Sequence, residues 1–380
     1  MTSFTLSPVP EILFGPGRLA DIADKAKALA GPGAAILMVA DPVLKSLGIT
    51  ALALDLLEKA GFETHVYDGF AGEPREQDVD AAAQLARRHA ARLVIGLGGG
   101  SALDTAKLAA CCAVSGLSAS AYALCATPLP QNRLPIIAIP TTAGTGSEVT
   151  RVSVFADASK VKVWAWGEEL KPDIAILDPE LTVAVPPHVT AATGLDAMVH
   201  AIEAATNKQR NDGNDLYCLK AISLITENLE RAVKHPHDIA ARGAMLLASC
   251  YGGIGIDNCG TALAHNISHA VADFAPIPHG RATGLAMLAT MGWVAEGHRE
   301  AFARVARAMG ADDPVEAYER LVRASGIKVS LSGDGLDDVT PERLAQHMAA
   351  PANKPMRKST LRYPSDADLV MLAGRFLNLA

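Results

Sequence analysis

Short apolar runs alternate with helical patterns along the first half of the chain. The runs cover residues 34–41, 62–68, 92–100 and the start of 134–150, and each of the first three is followed by a helical pattern. Runs of this length bounded by turn residues indicate buried strands. Their alternation with helices predicts crossover connections and a parallel sheet. Residues 152–157 and 160–166 are expected to form a hairpin, and residues 173–179 one more strand.

The pattern changes after Pro179, where strand-like alternation largely stops and helical periodicity takes over. Pro186 and Pro187 are suitable residues for the start of the first helix of this half. We therefore predict an α/β domain over residues 1–181 and an all-helical domain over residues 182–380.

Composition narrows the class of protein. Hydrophobic residues make up 49% of the 380 residues, charged residues make up 20%, and the net charge is −7 without a long basic run. The N-terminus lacks a signal-peptide pattern, and the apolar runs are shorter than the roughly 18 residues of a spanning helix. The six cysteines contain no CxxC pair, which favours free thiols in a reducing compartment. We expect a globular cytoplasmic protein with neither nucleic acid nor membrane as a partner.

A glycine-rich stretch lies where the third predicted strand ends and a helix begins, "GLGGGSALDTAK". Gly98, Gly99 and Gly100 allow backbone amides to approach an anion closely, and the helix N-terminus adds partial positive charge. Ser101 is expected to cap the helix and to donate to a phosphate. The stretch departs from the G-x-G-x-x-G fingerprint because a serine stands where the last glycine belongs.

Two further features lie at predicted strand ends. A second loop of small residues, "PTTAGTGSEVT", follows the run that begins at residue 134. Two such loops at one sheet edge favour a nucleotide site, because ligands of open α/β sheets bind at the carboxyl ends of strands. Asp41 ends the first strand, where an acid binds a ribose hydroxyl and repels a 2′-phosphate. The alternative role of Asp41 is to cap the helix that follows Pro42.

Histidines and one aspartate are concentrated in the second half. Asp196 and His200 are four residues apart on a predicted helix, as are His265 and His269, and His279 follows at a turn. A carboxylate with several imidazoles suits a divalent metal such as Zn or Fe(II). A hydrogen-bonded Asp196–His200 pair and core histidines are the alternative interpretation of the same residues.

Four motifs in this order resemble those of the iron-containing (group III) alcohol dehydrogenases: "GGGSALDTAK", "PTTAGTGSEVT", "GLDAMVHAIEA" and "HNISHAVADFAPIPHG". The resemblance covers nearly the whole chain. It implies the dehydroquinate synthase-like fold, in which a Rossmann-like NAD-binding domain precedes an all-helical metal-binding domain.

The resemblance also implies roles for individual residues. It implies four metal ligands: Asp196, His200, His265 and His279. His269 would be a further active-site histidine that relays a proton or orients the cofactor. The expected cofactor-binding residues are Asp41, Gly98, Gly99, Gly100, Ser101, Thr141, Thr142, Thr145, Ser147 and Lys162. Asp41 matches a position associated with preference for NAD.

The implied activity is hydride transfer between NAD(H) and a small alcohol or carbonyl compound, with one divalent metal, Fe(II) or else Zn. A homodimer or larger homo-oligomer is expected. Two alternatives keep the fold: an NAD- and metal-dependent lyase resembling dehydroquinate synthase, and a polyol oxidoreductase resembling glycerol dehydrogenase. A third is a non-catalytic protein that binds a nucleotide or a metal.

Overall fold

The computed structural model describes residues 3–70 and 72–380, which form two compact units. The first unit contains Pro8–Thr142 and Gly146–Ala184. The second contains Val185–Ala380, the described N-terminal residues 3–7, and the short segment Ala143–Thr145. The predicted combination of an α/β and an all-helical part is confirmed, and the domain boundary at residue 181 stays a prediction.

The first unit contains every strand found in the described residues. They are β1 (Glu11–Phe14), β2 (Ala35–Ala40), β3 (Glu63–Tyr67), β4 (Leu93–Gly98), β5 (Ile136–Pro140), β6 (Val152–Ala156), β7 (Lys162–Trp166) and β8 (Ile174–Leu177). Six of them form a parallel sheet in the order β1-β8-β5-β4-β2-β3, and β6 pairs with β7 as an antiparallel hairpin. The predicted parallel sheet and hairpin are confirmed. The edge strand β1 was not predicted, because its four residues offer too short a pattern.

Five α-helices cover the two faces of this sheet: α1 (Ile22–Ala30), α2 (Val43–Ser46), α3 (Ile49–Lys59), α4 (Glu76–Arg88) and α5 (Gly100–Ser115). Leu37 and Val39 of β2 belong to the core that contains α4 and α5, whereas Ile36 and Met38 belong to the core that contains α1 and α3. This burial on both sides explains the continuous apolar runs of the strands. The helical pattern after residue 42 is interrupted by Gly48, whose φ of 74° ends α2 and begins α3.

The second unit is helical. Its helices are α6 (Pro187–Thr206), α7 (Asp212–Lys234), α8 (Ile239–Cys259), α9 (Leu263–Val271), α10 (His279–Ala295), α11 (Arg299–Ala308), α12 (Pro314–Ala324), α13 (Pro341–Met348), α14 (Lys354–Ser359) and α15 (Asp366–Leu377). Helix α6 packs against α7, α8 and α10, and every residue from 194 to 206 is buried. The polar side chains of residues 194–206 are therefore held inside the unit.

One helix, α8, is long and apolar enough to cross a membrane by length and composition, although no such span was expected from the sequence. Some 67% of its apolar window is buried inside the protein. That burial is typical of a core helix, because the same apolar surface packs against neighbouring helices.

Candidate active site

Helix α6 presents three polar side chains on one buried face. Asp196, His200 and Glu203 are spaced four and three residues apart, which places them one above another along the helix. All three are buried. A carboxylate or imidazole removed from water needs polar partners, so this face must be completed by other elements.

Helices α9 and α10 bring two more imidazoles to this face. His265 lies in the first turn of α9, and His279 is the first residue of α10. The Nε2 atoms of His200, His265 and His279 lie 4.0, 3.8 and 3.7 Å from Asp196 Oδ1. Donor atoms of Asp196, His265 and His279 all lie within 4.8 Å of one another. The structure thus brings the four predicted ligands together around one point.

These four side chains do not satisfy one another by hydrogen bonding. The distances to Asp196 Oδ1 exceed hydrogen-bond length, and both Asp196 Oδ1 and His265 Nε2 are buried without a hydrogen-bond partner. A hydrogen-bonded Asp196–His200 pair is therefore not what the structure contains. Two metal–ligand bonds of about 2.1 Å allow their ligand atoms to lie up to roughly 4.2 Å apart. The spacing and the two unpaired atoms fit a divalent cation.

The other nitrogen of each ring is held by the protein. Nδ1 of His200 lies 3.2 Å from the carbonyl of Gly144, Nδ1 of His265 lies 2.7 Å from Glu203 Oε2, and Nδ1 of His279 lies 3.0 Å from Ser268 Oγ. An Nδ1–H that donates outward leaves an Nε2 lone pair directed inward. Burial also lowers the pKa of His200, which favours the neutral ring that a metal requires.

Two glycines allow neighbouring backbone segments to pack closely enough to α6 to bring the four donor residues together. A Cβ on Gly280 would lie 2.4 Å from the carbonyl oxygen of Ala192, so α10 reaches α6 only because residue 280 has no side chain. A Cβ on Gly144 would lie 2.7 Å from Cβ and 3.0 Å from the carbonyl oxygen of Thr193. The first contact brings His279 to Asp196, and the second brings the Gly144 carbonyl to His200.

His269 lies beside this group. Its ring centroid is 6.5 Å from that of His265 and 5.6 Å from that of His279. The side chain is half-buried, whereas His265 one turn earlier is buried. His269 therefore adjoins the four donors from a more exposed position.

The predicted cofactor loops meet at one edge of the sheet. Adjacent parallel strands β2, β4 and β5 end next to Asp41, Gly98 and Thr141. The backbone N–H of Thr141 donates to the carbonyl of Gly98 at 2.9 Å. Gly98 has a φ of 150°, and a Cβ there would lie 2.9 Å from Cβ of Asp41. The glycine thus lets the acid and the loop lie side by side.

The start of α5 differs from the expectation in one respect. The N-cap is Gly99, without a side-chain cap, so the prediction that Ser101 caps this helix is wrong. Ser101 is the second residue of the helix, whose first-turn amides lack intrahelical acceptors and suit an anion. Asp41 Oδ1 accepts from the N–H of Val43, the first residue of α2, at 3.1 Å, although the N-cap of that helix is Pro42.

Other predicted cofactor residues already have protein partners. The hydroxyl of Ser147 donates to Asp104 at 2.5 Å and accepts from the buried Lys107 ammonium at 2.7 Å. Lys162 donates to Glu73 at 2.6 Å. Thr142 is half-buried and lies beside Gly99, whereas Thr145 belongs to the helical unit. The cofactor roles of these residues stay predictions.

Comparison with known sequences decides the family. The family described as "Iron-containing alcohol dehydrogenase" matches residues 9–179, and the "Fe-containing alcohol dehydrogenase family, C-terminal" matches residues 190–372. The chain belongs to the iron-containing alcohol dehydrogenase family. As a member of that family it is an oxidoreductase that acts on CH–OH groups.

Curated and solved members of the family match over nearly their full length. The chain is 36% identical to the probable alcohol dehydrogenase EutG of Escherichia coli (strain K12), covering 98% of this chain and 93% of that protein. It is 31% identical to the NAD-dependent methanol dehydrogenase of Bacillus methanolicus, covering 91% and 93%. The structure of sulfoacetaldehyde reductase from Bifidobacterium kashiwanohense in complex with NAD+ superimposes with a TM-score of 0.90 at 30% identity, covering all of both chains.

Sequence reasoning missed Glu203 in this iron-containing alcohol dehydrogenase. Its spacing from Asp196 and His200 was visible, because residues seven apart share a helical face. Its neighbours Ile202 and Ala204 are apolar, and the helical pattern could not show that α9 would contact Glu203. Gly144 and Gly280 were missed for the same reason: their importance lies in a contact with a distant backbone.

Proposed function

We propose that the protein is a metal-dependent, NAD(H)-linked alcohol dehydrogenase, also active as an aldehyde or ketone reductase. In this proposal Asp196, His200, His265 and His279 hold one divalent cation. The observation that carries it is the convergence of these four donors, with Asp196 Oδ1 and His265 Nε2 buried and unpartnered. Such atoms are costly to bury unless a ligand completes them.

We propose Fe(II) as the resident ion, in keeping with the family's description. One carboxylate and three imidazoles form a borderline donor set that also accepts Zn. Affinity for this kind of site rises from Fe(II) to Zn, so metal supply decides which ion is bound.

When bound, the metal supplies a Lewis acid and the nicotinamide supplies the hydride acceptor or donor. The chain's own residues arrange these groups. Outward hydrogen bonds hold the rings of His200 and His265 in one orientation each. His269, half-buried next to this group, is proposed to carry the proton between substrate and solvent, because imidazole titrates near neutral pH. Orienting the cofactor is the alternative role of His269.

The proposed NAD site lies at the carboxyl ends of β2, β4 and β5. The solved relative that binds NAD+ and the relative named as NAD-dependent support the choice of cofactor. Gly98, Gly99, Gly100 and Ser101 would contact the pyrophosphate through backbone amides. The oxygens of Asp41 would accept from a ribose hydroxyl and disfavour a 2′-phosphate.

The substrate class is a small alcohol, aldehyde or ketone. Matches to alcohol dehydrogenase families favour a dehydrogenase over a lyase or a non-catalytic binding protein. A homo-oligomer and a cytoplasmic location stay predictions. The free cysteines accord with a reducing compartment, and light scattering in solution tests the oligomeric state.

Metal reconstitution tests the proposed function. Metal-stripped protein is refilled anaerobically with Fe(II) or Zn, and NADH oxidation is followed with a panel of small aldehydes and ketones. We expect no turnover without metal and restored turnover with one bound ion per chain. Full turnover by protein that contains no metal would overturn the proposal.

A further inference from the structure

We propose that Glu203 is a positioning residue that fixes the tautomer of His265. Glu203 accepts a hydrogen bond from Nδ1–H of His265. The proton therefore stays on Nδ1, and Nε2 keeps a free lone pair that points toward the Asp196 carboxylate. The inference rests on the proposed metal site. Glu203 does not itself bind the metal in this proposal, but it determines whether Nε2 of His265 can bind it.

Glu203 is surrounded by donors. Oε2 accepts from His265 Nδ1 at 2.7 Å and from the N–H of Ala262 at 2.6 Å, and Oε1 accepts from the N–H of Ala264 at 2.7 Å. Ala262 is the N-cap of α9 and has no side chain able to cap it. The carboxylate from α6 therefore replaces the missing cap and binds the helix dipole where it is positive.

The three inner-facing histidines have outer partners of different strength. The carbonyl of Gly144 accepts only, and so fixes His200 through a neutral hydrogen bond. The hydroxyl of Ser268 both donates and accepts, so it leaves the tautomer of His279 open. Glu203 accepts only and carries a charge, which makes its bond to His265 the strongest of the three. Carboxylate partners also increase the basicity of a ligating imidazole.

A glutamine at this position keeps the size of the side chain but presents one NH2 group. If the NH2 group takes the place of Oε2, it faces the N–H of Ala262, which is also a donor. The NH2 group can then donate to His265 only if Nδ1 of that ring carries no proton. The ring proton then moves to Nε2, the atom that points at Asp196, and that nitrogen loses its lone pair. With NH2 in place of Oε1, it faces the N–H of Ala264, and α9 is displaced.

The test compares Zn affinity among full-length, metal-stripped variants by competition with a chromophoric chelator. We expect Glu203→Gln to bind Zn about 10- to 100-fold more weakly than the wild type. Glu203→Asp keeps an acceptor-only carboxylate and should recover much of that loss. Long-range 1H–15N spectra of metal-free, histidine-labelled protein report the tautomer directly. Nδ1–H is expected in wild type and Glu203→Asp, and Nε2–H in Glu203→Gln with its NH2 group toward His265, with the signal assigned by its absence in His265→Ala.

A matched control separates positioning from general stability. Asp215 is another buried carboxylate of the helical unit, bound by Arg210 and Arg304. Asp215→Asn should lower the unfolding temperature without changing the Zn affinity of the folded protein. Zn affinity and tautomer unchanged in Glu203→Gln would overturn the inference. Absence of Zn binding in the wild type would instead overturn the proposed function, while the tautomer spectra would still judge Glu203.

Discussion

Two groups of histidines and carboxylates in this protein look alike by composition and differ in construction. One surrounds Asp196, and the other consists of Glu63 and His65 on the edge strand β3 with His89 just after α4. Both bring three donor atoms within 4.8 Å of one another. The first is largely buried, whereas the Glu63 side chain is 73% exposed.

The outer hydrogen bonds make the difference. His200, His265 and His279 each have Nδ1 held by a carbonyl, carboxylate or hydroxyl of the protein. Within the described parts of the chain, no side-chain hydrogen bond tethers His65 or His89, and their rings stack at 3.5 Å. A metal lies close to the plane of each imidazole that binds it, so these rings would have to separate. His65 Nε2 lies 3.1 Å from Glu63 Oε1, so these two side chains already contact each other directly. Proximity of donors is therefore weaker evidence for a metal site than tethered rings are.

The largest expected effect separates the two groups directly. His265→Ala removes a ligand from the tethered group and should lower metal affinity by more than about 100-fold, beyond the loss of an outer partner. NADH-linked turnover should disappear with the metal. His89→Ala in the other group should change neither. The metal content after dialysis and the rate of NADH-linked turnover are measured for both variants. Equal metal loss from the two would show that the two groups of donors do not differ in metal binding.

The second prediction tests the close approach of α10 to α6. Gly280→Ala places a methyl against the carbonyl of Ala192, and we expect a loss of about 1–3 kcal/mol in unfolding free energy. Metal affinity should fall too, because His279 is the preceding residue. The control lies in the same helix: Gly292 has open space around its Cα, so Gly292→Ala should be neutral or stabilising by roughly 0.5–1 kcal/mol. Urea unfolding gives the unfolding free energy of both variants. Similar losses in Gly280→Ala and Gly292→Ala would contradict the proposed role of the contact between Gly280 and Ala192.

The third prediction extends the contrast to buried carboxylates. Glu203 accepts three hydrogen bonds, whereas Glu148 is buried with Oε1 unpartnered, and burial raises the pKa of Glu148 to about 7. The folded state then binds the proton more tightly than the unfolded state, whose pKa is 4.5. Glu148 thus contributes to the free energy of unfolding below pH 4.5, and this contribution is lost as the pH rises to about 7. The loss is on the order of 3 kcal/mol.

Glu148→Gln removes this titration. We expect the variant's unfolding free energy to fall less steeply than that of wild type between pH 5 and pH 7.5, as measured by urea unfolding at several pH values. Asp104→Asn, which changes a carboxylate of the same unit that has hydrogen-bonded partners, serves as the control. Parallel pH profiles for wild type and Glu148→Gln would show that Glu148 is ionised in the folded protein throughout.

The smallest expected effect concerns the hydroxyl partner. Ser268→Ala removes the bond to His279 Nδ1, but Ser268 does not determine the tautomer of that ring. We expect Zn affinity to fall by only about 10-fold, the lower end of the range for an outer partner. Chelator competition, run beside Glu203→Gln, gives the ranking. A larger loss for Ser268→Ala than for Glu203→Gln would reverse the proposed order of outer partners.

Much of the fold and the donor set could be predicted from the sequence, because both leave periodic patterns. Buried strands appear as apolar runs, and Asp196 with His200 appears at helical spacing. Gly48, which divides α2 from α3, and Glu203 lay within readable patterns, but their roles depend on local backbone conformation or on a distant helix. Gly280 carries no pattern at all, because its requirement comes from the carbonyl of Ala192. The periodic pattern of the sequence could not predict contacts between elements that are distant in the chain.

A crystal structure of protein refilled with Fe(II) or Zn, with anomalous data at the metal edge, tests the central claim most directly. The account predicts a single strong peak bonded to Asp196, His200 Nε2, His265 Nε2 and His279 Nε2, and no peak at Glu63, His65 and His89. A strong peak in the second group, with the first empty, would contradict it.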